Sequence, residues 1–177
     1  MGKKYEFTGE TKVLFGVTLH QIRATADFGL VAKGEIGGWI EGEKNVAPAG
    51  NAWVAGDARV SGNALVSGNA RVEGNAWVYG DAWVSGNARV SGNARVSGYS
   101  DLLLVGPIGS RKAFLTIHAD LKLGLRFTTG CFSGTEDQFL ESVQKTHGDT
   151  EYGRQYRAAV DFAAACVKPY TAQKDAG

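Results

Sequence analysis

From Gly50 to Ser97 the chain is eight consecutive six-residue units, GNAWVA, GDARVS, GNALVS, GNARVE, GNAWVY, GDAWVS, GNARVS and GNARVS, with no insertion between them. No other feature restricts the fold as much. Side chains of an extended segment alternate between two faces, so the Ala and the Val two places on share one face and the residue between them takes the other. Gly followed by Asn or Asp is corner chemistry, because these residues tolerate the left-handed backbone of a sharp bend. Each unit is therefore a short strand plus a corner. A strict six-residue period predicts a parallel β-helix, three units to a triangular coil, with Val and Ala columns inside and parallel pairing between coils. A run of β-hairpins would instead need two unlike strand faces and a two-residue turn at every bend.

Stacking units three apart assigns the outward residues to three faces. One carries Trp53, Arg71 and Arg89, a second Arg59, Trp77 and Arg95, and the third Leu65 and Trp83. Ile40 and Val46 continue the beat ahead of a two-residue slip at "APAG", which sets Trp39 beneath Arg59. The second face then reads Trp39, Arg59, Trp77, Arg95, and all four tryptophans fall in outward columns. A guanidinium between indole rings gains about 0.5 to 2 kcal/mol per contact. These ladders fit an intersubunit surface, where Trp and Arg are favoured, or a surface for a planar anion. Eight units make fewer than three turns, so little core is buried and a closed homo-oligomer is expected.

Composition narrows the class of partner. A formal charge of +1 offers no bulk attraction to long nucleic acid, and the 44% apolar fraction excludes a disordered chain. With 25 glycines but only 3 prolines, the glycine serves regular turns and not a linker. No stretch has the roughly 18 to 20 apolar residues of a membrane helix, and no opening segment has signal-peptide form, so a cytoplasmic chain without membrane contact is expected. Cys131 and Cys166 lack any CxxC spacing, which suggests reduced, structural cysteines and no metal or other cofactor.

The expected fold class is mainly β, in three parts: an N-terminal β cap and opening turn over 1–49, the hexad coil over 50–98, and a small α+β module over 99–177. The N-terminal part reads as two or three strands closing the coil's exposed edge. In the module, strands joined by glycine turns precede two helices. Thr135 and Gln138 form a capping box for the first, with Phe139, Leu140 and Val143 as its apolar face. The second is predicted from about Glu151 to Val167, with Tyr152, Tyr156, Ala159, Val160, Ala163 and Val167 in one stripe.

The candidate ligand residues lie in this module. "GPIGSR" (106–111) and "GCFSGT" (130–135) are glycine-rich, and the second opens onto a helix N-terminus, where unpaired N–H groups suit an anion. Neither is a P-loop, since the Gly-Lys-Ser/Thr ending is missing. Ser110, Arg111, Ser133 and Thr135 are the anion-binding candidates. Cys131 with His118 or His147 could pair a nucleophile with a base, and Tyr152 and Arg154 could line the same pocket. No residue set marks a catalytic centre.

The hexads resemble hexapeptide-repeat proteins, which implies a left-handed coil and side-by-side trimers. With "GVTLHQIRATADFG", "GGWIE", "GPIGSR" and "TGCFSGT", nearly the whole chain resembles uncharacterised phage and prophage proteins with such coils. That resemblance implies a non-catalytic oligomer acting as a counter-defence factor in an infected or lysogenic bacterial host, sequestering a small nucleotide-like or phosphorylated ligand. A scaffold or inhibitor binding a host protein through its Trp and Arg faces is the alternative. A third reading, an acyltransferase-like enzyme, is implied by the wider hexapeptide class, in which metal-binding carbonic anhydrases also occur. Both chemistries place histidine on or beside the coil, whereas His20, His118 and His147 all lie outside the eight hexads.

Overall fold

The computed structural model describes residues 3–170, which divide into two compact units, Met1–Tyr99 and Ser100–Gly177. In the first, the eight hexads form eight two-residue strands: β4 (Trp53–Val54), β5 (Arg59–Val60), β6 (Leu65–Val66), β7 (Arg71–Val72), β8 (Trp77–Val78), β9 (Trp83–Val84), β10 (Arg89–Val90) and β11 (Arg95–Val96). Strands three apart pair in parallel, β4 with β7 and β10, β5 with β8 and β11, and β6 with β9. The result is a β-solenoid of about three turns. The backbone bonds run from coil to coil, as from the Trp53 N–H to the Ala70 carbonyl (3.0 Å) and from the Arg71 N–H to the Ala88 carbonyl (2.9 Å).

The interior follows directly from the repeat. The Ala at the third position and the Val at the fifth of every hexad, from Ala52 to Val96, are at most 1% exposed. At the corners the glycines stack on one another: a Cβ on Gly68, whose φ is +67°, would lie 3.1 Å from the backbone N and O of Gly86. Corner asparagines add a second ladder, with the Asn51 side-chain amide donating to Asn69 (3.0 Å) and that of Asn69 to Asn87 (3.1 Å).

The N-terminal segment forms β1 (Tyr5–Leu14), β2 (Val17–Ala24) and β3 (Ile36–Ile40). β1 and β2 make an antiparallel hairpin, β2 pairs antiparallel with β3, and β3 pairs in parallel with β5. "GEIGGWIEGE", expected as an opening turn, is thus a rung of the solenoid itself. Trp39 lies beside Arg59 and Ile40 beside Val60, while Val46 bridges Val66 in the next column. The hairpin turn places Phe15 at a φ of +49° and Gly16 at +78°, the two-positive-φ turn that matches strand twist.

The second unit is a four-stranded antiparallel sheet in sequence order, β12 (Leu102–Ile108), β13 (Ala113–Asp120), β14 (Gly124–Thr129) and β15 (Phe132–Gly134), followed by α1 (Glu136–His147) and α2 (Glu151–Cys166). Leu115, Ile117 and Phe127 of the sheet form its core with Phe139 and Val143 of α1 and Tyr156, Ala159, Val160 and Ala163 of α2. Thr135 and Gln138 make the capping box, with Thr135 Oγ1 accepting from the Gln138 N–H and Gln138 Oε1 from the Thr135 N–H. Tyr152 leaves the expected stripe and is exposed, and Gly153 takes its buried place. A Cβ at Gly153 would run into the Gly148 carbonyl, so the small residue sits where the helices approach.

Candidate functional site

The sheet of the second unit has two chemically different faces, because successive side chains of a strand point to opposite sides. Leu115, Ile117, Phe127 and Phe132 take the helix side, and the residues between them, Thr116, His118, Arg126, Thr128 and Ser133, take the other. On that other face the Arg126 guanidinium donates to Asp120 Oδ2 (2.9 Å) and to Ser133 Oγ (3.0 Å), and the backbone N–H groups of Lys122 and Leu123 donate to Asp120 Oδ1. These bonds outweigh burial and hold the Asp120 carboxyl below its usual range. His118 pairs in register with Arg126, is fully buried, and contacts the Ala119 carbonyl through Nδ1 (3.1 Å). Burial drives its pKa down from the ordinary 6.5 to about 4, leaving a neutral imidazole.

On the helix side a cavity of about 270 Å³ opens between the β12–β13 turn, the β14–β15 turn and the two helices. Its floor is the buried rings of Phe139 and Tyr156, and half-buried Phe132 and His147 stand beside them. The four rings contact one another: Phe132 with Phe139 at 5.4 Å, Phe139 edge-on to Tyr156 at 5.6 Å, and His147 stacked on Tyr156 at 5.6 Å and 27°. Ser110, Arg111 and Cys131 form an exposed rim, and Ser142 and Thr146 add hydroxyls from α1.

The rim is held by one close approach. A Cβ on Gly109 would fall 2.2 Å from the Tyr156 hydroxyl, so only glycine lets the turn settle over that phenol. The Gly109 N–H then donates to Gln155 Oε1 on α2 (2.8 Å). Residues 110 and 111 are thereby fixed at the cavity mouth. Among the described residues, the Arg111 guanidinium and the side-chain hydroxyls of Ser110, Ser142 and Thr146 have no hydrogen-bond or ion-pair partner.

Of the nine residues expected to bind a ligand, four line this cavity: Ser110, Arg111, Cys131 and His147. The two glycine-rich stretches do converge, but through Arg111 and the Gly130–Cys131 turn, and Ser133 is turned to the far face by strand alternation. His118 is on that face too, out of reach of Cys131's side of the sheet. Thr135 lies at the other end of α1, roughly 18 Å along the axis from His147 at 1.5 Å per residue, with its hydroxyl committed to the cap. "GCFSGT" is a tight turn and an edge strand, not an open anion loop. Tyr152 packs edge-on against His147 outside the cavity lining, and Arg154 donates to the Asp149 carbonyl at the α2 N-terminus. Cys131 and Cys166 are free thiols, as expected, but both are exposed and not structural core residues. Tyr156, Ser142 and Thr146 were missed as site residues. The i, i+4 hydroxyl pair on α1, flanking Val143 and His147, was the one signal for them.

The outward columns of the solenoid differ from one face to the next. Trp53 keeps its register beside Arg71 but is 1% exposed, so it offers no open surface to a partner or ligand. Phe28, from the loop before β3, meets it edge-on at 5.5 Å, and its indole N–H is buried without a partner. Arg71 and Arg89 in the same column share Glu73 at 2.8 and 3.7 Å. On the second face the register Trp39, Arg59, Trp77, Arg95 holds, and of the expected guanidinium–indole contacts Arg95 over Trp77 is present. Lys12 supplies the cation on Trp39 (3.9 Å), Phe15 stacks flat on Trp77 (5.4 Å, 8°), and Arg95 is 5.9 Å from Trp77. The hairpin β1–β2 therefore takes up much of the surface expected for a neighbouring subunit. Trp83 is 54% exposed and shares a shallow depression with Leu65, Asp81 and Tyr99.

Among the described residues no group of three or more His, Cys, Asp or Glu side chains could hold a metal ion, and no helix is long and apolar enough to cross a membrane. None of the curated proteins matches the chain. The family described as the YdcK beta solenoid repeat does match, over residues 58–73, 66–80 and 88–100, all but the last residue of them in the first unit. Over those stretches the chain is similar to a known β-solenoid repeat, in agreement with the coil seen in the structure.

Proposed function

We propose that the protein is a non-catalytic binding protein whose second unit sequesters a small anionic, nucleotide-like or phosphorylated ligand. One observation carries the reading: Arg111 and three hydroxyls converge on an aromatic-floored cavity and have no partner among the described residues. Ser110, Arg111 and Thr146 are exposed and Ser142 half-buried, so these groups are open to a ligand's own acceptors at a concave site. The solenoid is, on this reading, a left-handed coil that gathers copies into a trimer and raises the number of sites per particle. The resemblance to phage proteins supports a role as a counter-defence factor in the host cytoplasm, with the captured molecule a host signal.

The test is native mass spectrometry of the full chain purified from a bacterial host, followed by heat release. Sequestration predicts one ligand per chain, recovered chemically unchanged, and a particle mass of three chains. Turnover of an added nucleotide, or a chain that binds none of a panel of small phosphates, overturns it. A second reading, a scaffold that docks a host protein, is favoured by the exposed Trp83 and Tyr99 beside Asp81. It predicts that Trp83→Ser abolishes capture of a defined partner while Arg111→Gln does not.

A further inference from the structure

The cavity's shape says more about the ligand than its charge does. At about 270 Å³ it falls just below the roughly 300 to 1,000 Å³ of sites that enclose drug-sized molecules. A single ring bearing one charged group fits, and a dinucleotide does not. Four of the lining side chains are rings, Phe132, Phe139, His147 and Tyr156, and His147 is stacked on Tyr156, so a ring entering the cavity meets an aromatic pair. An aromatic face of this kind takes a planar ring with little regard for its substituents.

The charge is placed at one end only. Among the cavity-lining residues Arg111 is the only Lys or Arg, and it lies on the β12–β13 turn. Ser142, Thr146 and His147 belong to the C-terminal half of α1, where the helix dipole presents partial negative charge and repels an anion. The anionic group therefore goes to Arg111 and Ser110, and the ring to His147. Neither helix N-terminus supplies the binding here, because the two N-caps, Thr135 and Thr150, both lie outside the cavity lining.

Resting on the binding reading above, we infer that this site takes a planar aromatic monoanion or small phosphate ester, one ring in size, with its ring on His147 and its charge on Arg111. Isothermal titration of the full chain with phenyl phosphate, cyclohexyl phosphate, inorganic phosphate and a cyclic dinucleotide tests it. Phenyl phosphate should bind about tenfold more tightly than cyclohexyl phosphate, inorganic phosphate more weakly still, and the dinucleotide not measurably. Arg111→Gln should lower affinity for phenyl phosphate at least about tenfold. His147→Leu should abolish the preference for the aromatic ester over the saturated one, and Arg154→Gln, outside the cavity, should change neither. Equal binding of the phenyl and cyclohexyl esters, or dinucleotide binding as tight as either, overturns the ligand class while leaving the anion site standing. Silence toward all four probes, with helix content by circular dichroism unchanged, overturns the anion site and the ligand class together.

Discussion

The repeated and unrepeated parts of this chain treat their polar groups in opposite ways. In the solenoid each coil answers the next: backbone donors find acceptors one turn away, corner asparagines bond to corner asparagines, and the Ala and Val columns exclude water completely. Translation by one turn reproduces the backbone and corner partners, and the two buried side-chain groups left without a partner among the described residues, the Trp53 indole N–H and Arg59 Nε, lie in the outward columns. The sheet and helices of the second unit have no such symmetry. Aromatic rings line a gap there, and Arg111 with its neighbouring hydroxyls borders it without a partner among the described residues. Regularity stabilises the first unit, and irregularity gives the second its candidate site.

The contrast can be broken most severely inside the coil. Val72, fully buried with Val54 below and Val90 above, has no group near it that could meet a charge. Val72→Asp should cost more than about 4 kcal/mol and unfold the solenoid. All four tryptophans lie in the first unit and both helices in the second. Tryptophan fluorescence should therefore lose its native signal while ellipticity at 222 nm persists. Simultaneous loss of both signals would show that the two units fold as one.

Acid should act on the second unit instead. His118 is buried as the neutral imidazole, so the unfolded chain takes up its proton near pH 6.5 and the folded chain only near pH 4. Stability from this group is complete above about pH 6.5, falls as the pH drops through that interval, and levels off below about 4. The loss is on the order of 3 kcal/mol. Asp120, whose carboxylate is held ionised, adds a loss in the same direction below the ordinary carboxyl range. Thermal melts at 222 nm between pH 7 and 4 measure the effect, and His118→Leu should flatten the profile. A profile unchanged by that substitution would remove His118 as its source.

Gly109→Ala is an intermediate case that joins stability to the site. Its φ of +71° disfavours any side chain, and the new methyl group would meet the Tyr156 hydroxyl at 2.2 Å. A cost of about 2 kcal/mol is expected, together with loss of phenyl phosphate binding as the turn carrying Arg111 lifts from α2. Retained binding at wild-type affinity would show that the turn need not be seated for the site to work.

These cases also explain what the sequence could and could not show. The coil was legible because its contacts repeat: once units three apart stack, the positions of Ala70, Val72 and even Trp39 beneath Arg59 follow by counting. The capping box was legible because Thr135 and Gln138 are local partners. Non-repeating partners were not. Nothing local says that Phe28 will cover Trp53 or that Phe15, in a backbone conformation rare for a bulky residue, will stack on Trp77. For the site, the two glycine-rich stretches were visible, but which of their residues face the cavity depended on strand parity. The two-residue turn at Gly130 and Cys131 sends Phe132 to the helix side and Ser133 to the other.

The smallest effect separates two tryptophans that the repeat treats as equivalent. Trp77 is half-buried, and its indole N–H donates to Ser61 Oγ at 3.1 Å. Trp53 is buried, and its indole N–H has no partner among the described residues. Trp77→Phe should cost about 1 kcal/mol, since it removes a made hydrogen bond and leaves the Ser61 hydroxyl to find another partner. Trp53→Phe removes a polar group whose burial is uncompensated, which offsets the volume lost from a packed site. Its net cost should therefore be the smaller of the two despite its deeper burial, reversing the order that burial alone dictates. Urea unfolding followed by the fluorescence of the remaining tryptophans compares them directly. A larger loss for Trp53→Phe would mean that packing against Phe28 outweighs the unpaired indole, and that the N-terminal segment clamps the coil more firmly than its single edge-on contact implies.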